Sequence, residues 1–359
     1  MINLSVNINS KNIQYPIYIS NEDICDLKSK IISEICDKNY VVVISEKVYK
    51  LYGKALDFPK KALFVLKDGE IEKNQKNYLK ILDFMLKRKL KREDAIIAIG
   101  GGVVGDIAGF AASTYMRGIN FVQVPTTLLA ATDSSVGGKV AINTKYGKNL
   151  VGAFYQPKAV FVNINFLKTL DEKQYKSGLG EVIKYGFIEK SCNMQEDAHL
   201  INFLTENYEQ ILSRDVLKLR ELIKMCISLK IAVVERDEKE GGLRKILNYG
   251  HTYGHAIENL THYKKYTHGQ CVVDGILFAL KLALSRNLID KEYKFLCEDL
   301  IKKFGYQPLL KFDKNKIISV MLSDKKATNE YIKFILPNDY ATVGEYDFTP
   351  SELGELIYL

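Results

Sequence analysis

The sequence predicts an α/β N-terminal domain with a mostly parallel, doubly wound, Rossmann-like sheet. A mostly α-helical C-terminal domain follows, with the active site expected in the cleft between them. Three observations carry this expectation. β-Branched apolar runs alternate with helical periodicity through the first half, and a glycine cluster directly follows one of those runs. Beyond about residue 170 strand signals thin out and long amphipathic patterns take over.

The elements follow in order. "MINLSVNINSKNIQYPIYIS" alternates apolar and polar residues like two short strands. Tyr40–Ser45, Lys61–Leu66, Ala95–Gly100 and Phe121–Pro125 are short apolar runs, as expected of parallel strands buried on both faces. The stretch from Ile71 to Leu86 has a 3.6-residue period and supplies a crossover helix. Amphipathic helices are expected at Leu200 to Leu212, Val216 to Glu235, Gly275 to Ser285 and Tyr293 to Phe304. This divides the chain into an α/β domain, 1–170, and a helical domain, 171–359.

Composition narrows the function classes. With 359 residues, 47% hydrophobic and 26% charged, the chain is an ordinary globular protein. Its six cysteines form no C-x-x-C pair, which fits a reducing cytoplasm better than a disulfide framework. No basic segment leads into an apolar one at the N-terminus, so no signal peptide is expected. No apolar run reaches the roughly 18 residues of a membrane span. The net charge of +8 raises nucleic acid as a partner, but runs such as "KRKLKRED" mix both signs and lack interleaved aromatics. They read as solvated surface, and neither nucleic acid nor membrane is expected as a partner.

Three clusters carry chemistry. In "AIIAIGGGVVGDIAGF", Gly100, Gly102 and Gly105 satisfy G-x-G-x-x-G, with Asp106 opening the next helix. No acidic residue lies about 20 positions on to hold a ribose, so the fingerprint alone is weak. In "DSSVGGKVAINTKYGKN", Lys139, Lys148 and Asn149 sit among glycines after an apolar run; small residues admit a ligand and ammonium groups attract an anion. A mobile surface loop is the plainer alternative. In the second half, His251 and His255 are four apart, His268 follows, and His199 and His262 read as surface. Spacing alone favours His251 and His255 as joint metal ligands, and Glu181, among the glycines of "GLGEVIKYG", is a candidate third. Lys230, Glu240, Arg244 and Asn248 lead into His251; Arg244, Asn248 and His251 share a surface if the helix is continuous, a solvated ion-paired face being the plainer alternative.

Together these blocks resemble the 3-dehydroquinate synthase family of the sugar phosphate cyclases. "GGGVVGDIAGF", "RGINFVQVPTTLLAATDSSVGGK", "GKNLVGAFYQP", "GEVIKYG", "DEKEGGLRKILNYGHTYGHAIE", "HGQ" and "SDKK" occur in that family's order, over roughly residues 68–326. The resemblance implies a lyase using NAD and Zn2+ or Co2+, with Glu181, His251 and His268 as metal ligands. It puts His255, Lys139, Asn149 and Asn248 at the substrate phosphate, Lys230 and Arg244 at its carboxylate, and Lys184 and Lys148 near substrate and nicotinamide. It brings Glu240 into the catalytic set, and carries Arg117 across a homodimer interface. One of Lys325 and Lys326 closes over the ligand. For the cofactor it implies Gly101, Gly102, Asp106, Thr126, Thr127, Leu129, Asp133, Thr169 and the pair Glu70 and Lys73, together with Lys139 and Lys148. The chain departs from the family pattern at Ser45 (commonly Asp), Lys47 (often Asn) and Asp171 (commonly Pro).

The implied reaction is conversion of 3-deoxy-D-arabino-heptulosonate 7-phosphate to 3-dehydroquinate and phosphate. Transient oxidation at C5 acidifies a neighbouring C–H, phosphate is eliminated, the hydride returns, and an aldol step closes the ring. A metal-dependent polyol dehydrogenase, or a cyclase whose substrate lacks a carboxylate, would leave the cationic residues Lys230 and Arg244 unexplained.

Overall fold

The computed structural model describes residues 1–8, 13–194, 198–309, 312–323 and 331–357. The chain forms two compact units, Met1–Leu170 with Leu219–Ile231, and Asp171–Lys218 with Ala232–Leu359. Lys325 and Lys326 lie outside the described residues.

In the first unit, β1 (Ile2–Ile8) and β2 (Ile13–Ser20) precede α1 (Leu27–Glu34), β3 (Tyr40–Ser45), α2 (Glu46–Leu56) and β4 (Leu63–Leu66). Then come α3 (Gln75–Lys87), β5 (Ala95–Gly100), α4 (Gly102–Thr114), β6 (Asn120–Pro125), β7 (Lys139–Thr144), β8 (Gly147–Phe154) and β9 (Ala159–Asn163). Seven strands make one sheet in the order β1-β2-β9-β6-β5-β3-β4. Only β1 runs antiparallel to its neighbour.

The alternation along β5 shows why its sequence is apolar throughout. Ala95, Ile97 and Ile99 pack with α1 and α2, while Ile96 and Ala98 pack with α3 and α4. Strand order reverses between β3 and β5, and in such sheets ligands bind outside the carboxyl ends at that reversal. Ser45 and Gly100 end those two strands. Ser45 also caps α2, its Oγ accepting from the Val48 amide at 3.2 Å.

Residues 139–154 are an ordered hairpin, with Val140 opposite Ala153, rather than the alternative of a mobile loop. Backbone pairing holds Lys139 and Lys148 on defined strands.

The second unit holds α5 (Glu172–Ile188), α6 (Leu200–Leu212), the ends of α7 (Val216–Arg236), α8 (His251–Leu260), α9 (His268–Ser285), α10 (Lys291–Lys303) and α11 (Lys314–Leu322). A hairpin of β10 (Ile332–Asp339) and β11 (Thr342–Phe348), unread in the sequence, precedes α12 (Pro350–Leu356). Asp171, where the family pattern has proline, caps α5: its Oδ1 accepts from the Gln174 amide at 2.9 Å. No helix among the described residues is long and apolar enough to cross a membrane.

Two sequence expectations change. Leu219–Ile231 groups with the first unit although it lies past residue 170, and Lys230 ties it there: its Nζ donates to Asp133 O at 2.5 Å and to Asp133 Oδ1 at 2.7 Å. The segment Leu243–Asn248 is a 3₁₀ helix, not a continuous helix into His251. Gly250, at φ 77°, breaks the winding before α8 begins.

Candidate active site

Glycines bring three helices of the second unit together at one point. A Cβ on Gly180 of α5 would lie 2.5 Å from Gly269 O, and one on Gly269 of α9 would lie 2.0 Å from Ser177 O. Only bare backbones can approach this closely. Glu181 and His268 are the next residues along from those two glycines. His251 is the first residue of α8, whose Gly254 meets Cys271 O of α9 in the same way, at 2.7 Å.

The outcome is a converging donor set. Glu181 Oε1 lies 3.1 Å from His268 Nε2 and 3.5 Å from His251 Nε2. Glu181 Oε2 is buried, and the Lys184 ammonium sits against it as an ion pair. Burial pushes the Glu181 carboxyl up, but Lys184, His251 and His268 outweigh it and hold it well below its ordinary value. Burial drives the His251 imidazole well down. His268 is pulled down by burial too, yet Glu181 and Glu258 hold it up to about 10. One carboxylate and two imidazoles with a common focus form the donor set of an open, three-ligand zinc-type site.

The pairing of His251 with His255 suggested by spacing is not formed as a ligand set. Their rings meet edge-on, with centroids 5.2 Å apart. His255 instead belongs to a second group, with Glu258 and His268. Sharing a helix face brought the rings close without aiming their nitrogens at one point.

In the first unit Gly101 caps α4, and a Cβ there would meet Thr127 Cγ2 at 2.9 Å. Gly102 faces Ser134. Lys73 forms an ion pair with Asp106 and donates to Asn149 Oδ1 at 2.6 Å. Burial lowers the Lys73 ammonium, but Asp106 and Glu70 outweigh it and leave it raised. Glu70 Oε1 accepts from Asn143 Nδ2 at 2.7 Å. Glu70, Lys73, Asp106 and Asn149 therefore belong to one polar network beside the glycine turn. Thr126 is buried, Leu129 is half-buried, and Thr169 pairs with Tyr52 Oη at 2.7 Å. Ala130–Ser134 wind as a single π turn, with Ser135 N donating to Ala130 O at 3.2 Å. This turn carries Asp133 to Lys230. Lys139 is exposed, as is Arg117 at φ 66°.

The "DEKEGGLRKILN" loop is organised by a residue that sequence reasoning missed. Asp237 Oδ1 accepts from Gly241 N at 2.9 Å, and its Oδ2 accepts from Gly242 N at 2.7 Å and Arg244 N at 2.9 Å. Arg244, 1% exposed, donates from Nη1 to Glu238 O. Asn248 Nδ2 donates to Glu240 Oε1 at 2.6 Å. Burial raises the Asp237 carboxyl, but the amides of Arg244, Gly242 and Gly241 outweigh it and leave it lowered. Its contribution to stability is therefore full above the unfolded carboxyl value, about 3.9. It is lost as pH falls through the depressed folded value. Asp237→Asn is expected to cost about 1–2 kcal/mol at neutral pH, discounted for partial exposure. In thermal melts the gap from the unsubstituted protein should close below about pH 4; a gap independent of pH would contradict the assignment.

Glu258 was also missed. It stands at i+7 from His251 and i+3 from His255, so helical periodicity places it on the same face.

Residues 63–177 match the family profile 3-dehydroquinate synthase N-terminal, and residues 178–327 match 3-dehydroquinate synthase C-terminal. The chain belongs to the 3-dehydroquinate synthase family. The 3-dehydroquinate synthase of Alkaliphilus metalliredigens is 44% identical over 323 residues, 89% of each chain. Among solved structures, 2-deoxy-scyllo-inosose synthase with carbaglucose-6-phosphate, NAD+ and Co2+ superposes with a TM-score of 0.86 at 26% identity, covering 99% of both chains. A 2-epi-5-epi-valiolone synthase from Streptomyces hygroscopicus, with NAD+ and Zn2+ bound, shares the fold at a TM-score of 0.84 and 21% identity, over 96% of both chains. The two 3-dehydroquinate synthase profiles meet at residues 177 and 178, within α5 and just before Glu181.

Proposed function

We propose that this protein converts 3-deoxy-D-arabino-heptulosonate 7-phosphate to 3-dehydroquinate and phosphate in the shikimate pathway, using NAD and a divalent cation, zinc or cobalt. The convergence of Glu181 Oε1 on His251 Nε2 and His268 Nε2 carries this reading. Family membership supplies the substrate class.

Glu181, His251 and His268 would hold the cation, which when bound would supply charge stabilisation at a substrate hydroxyl, and NAD would supply the hydride acceptor. Gly101, Gly102, Asp106, Thr126, Thr127, Leu129, Asp133, Thr169, Glu70 and Lys73 line the cofactor, joined by Lys139 and Lys148. Lys230 and Arg244 take the substrate carboxylate. Lys139, Asn149, Asn248 and His255 take the phosphate, with Lys148, Lys184 and Glu240 nearby. These cations offset a substrate of about three negative charges and steer its capture. In the elimination, the C–H next to the transient ketone loses its proton to a phosphate oxygen as the C–O bond to that phosphate breaks. The side chains orient and neutralise; no protein base is required. We also assign a cytoplasmic homodimer, in which Arg117 reaches the phosphate of the neighbouring subunit.

The test incubates the protein with the heptulosonate phosphate, catalytic NAD and Zn2+ or Co2+. Phosphate should appear in step with substrate loss and without net NADH. One NADH per turnover would move the assignment to a polyol dehydrogenase. Lys139→Ala and His255→Ala should each slow phosphate release, and unchanged turnover would remove them from the phosphate site.

A further inference from the structure

The ligand histidines differ in what holds their far side. His251 Nδ1 donates to the backbone carbonyl of Tyr249 at 3.0 Å, leaving Nε2 toward Glu181. His268 has Nε2 toward the same carboxylate, but its Nδ1 lies 3.4 Å from Glu258 Oε1. One imidazole is thus bracketed by two carboxylates from two different helices. His268 is also the more exposed of the two rings, 31% against 12% for His251. It therefore depends more on a side-chain partner to fix its orientation. Glu258 is 6% exposed, and an ionised carboxylate is kept at such a depth only when a donor satisfies it.

We propose that Glu258 is a positioning residue for the metal site, accepting the Nδ1–H of His268 so that the lone pair on Nε2 is presented to the cation. This rests on the metal-site reading above. A carboxylate partner polarises an imidazole more than a carbonyl does, so His268 becomes the stronger nitrogen donor and His251 the weaker. The alternative is that Glu258 is itself a ligand, in the group it forms with His255 and His268. The matched arrangement at His251, with Nδ1 held and Nε2 directed to Glu181, favours the outer role.

The test titrates the metal-stripped full-length protein with Co2+, read by its visible absorption, and with Zn2+ in competition with a chromophoric chelator. Glu258→Gln keeps the shape and removes the charge; Glu258→Leu removes the acceptor. Glu258→Gln should weaken binding about 10-fold and Glu258→Leu about 100-fold. In both, the bound Co2+ spectrum should still be that of a site with Glu181, His251 and His268. Affinity within twofold of the unsubstituted protein in both variants would make Glu258 merely structural. Loss as complete as in Glu181→Gln, or a Co2+ spectrum changed in ligand number, would make it a ligand; either result overturns the proposal. Should the unsubstituted protein bind neither cation, the metal-site reading itself fails and this inference falls with it. Melting of the metal-free variants, expected near that of the unsubstituted protein for Glu258→Gln, separates lost affinity from lost fold.

Discussion

Glu181→Gln is expected to leave the protein unable to retain a divalent cation and to lower turnover by about 10³-fold. Two physical effects combine. The amide keeps the shape but loses the anionic oxygen that both imidazoles face at 3.1 and 3.5 Å, so one of the three proposed ligands becomes a poor one. A bound cation supplies several kcal/mol of charge stabilisation to the reaction, and about 4 kcal/mol corresponds to three decades in rate. The second effect is on the fold. Lys184 and Glu181 are 2% and 1% exposed, and the substitution removes the charge opposite a buried ammonium. Breaking such a pair costs about 3 kcal/mol or more. The double variant Glu181→Gln, Lys184→Met should regain most of that stability while still binding no metal. Metal content after dialysis, melting temperature and phosphate release read the two effects separately. A single variant that retains stoichiometric metal would remove Glu181 from the ligand set.

Gly269→Ala is expected to damage the same site without touching a ligand. The new Cβ would sit 2.0 Å from Ser177 O and 2.7 Å from Ser177 C, and backbone cannot swing aside as a side chain can. Ordinary C···O contact needs about 3.3 Å, so α5 and α9 must separate by roughly 1 Å. Overpacking of this kind costs about 3 kcal/mol or more. The separation also pulls Glu181 from His268, and metal affinity should fall at least 10-fold in whatever fraction folds. Gly354→Ala is the control. There a Cβ meets nothing closer than Ile318 Cδ1 at 3.9 Å, within α12. The same substitution should stabilise by about 0.5 kcal/mol. If Gly269→Ala melted and bound metal like the control, the close crossing would not be what holds the ligands together.

What could be read from the sequence depended on whether a signal was local. The strands Tyr40–Ser45 and Ala95–Gly100 stand as expected because each is a continuous apolar run buried on both faces. The helix Leu200–Leu212 stands for the same kind of reason, its periodicity being self-contained. The chemistry was harder. His251 and His255 share a face, but ring direction depends on how neighbouring helices pack, and no spacing rule encodes that. Glu181 lies 87 residues from His268 in the chain. Its glycine neighbours marked it as a candidate ligand, but its pairing with His268 came through the family resemblance. Asp237 was missed because its work is done through backbone amides of the following loop, which leave no mark in residue type beyond two glycines. The hairpin Ile332–Phe348 was missed because it follows the last helix expected, Tyr293 to Phe304, in a half whose long amphipathic patterns outweighed two short strands.

The π turn at Ala130–Ser134 fixes the length of its segment as firmly as its composition. Deleting one residue there would close the wide turn to ordinary winding and change the direction in which Asp133 leaves it. Asp133 would then face away from Lys230, and the start of β7 would be displaced with it. Related chains should accordingly tolerate exchanges of small residues in this stretch far more readily than a change of even one in their number.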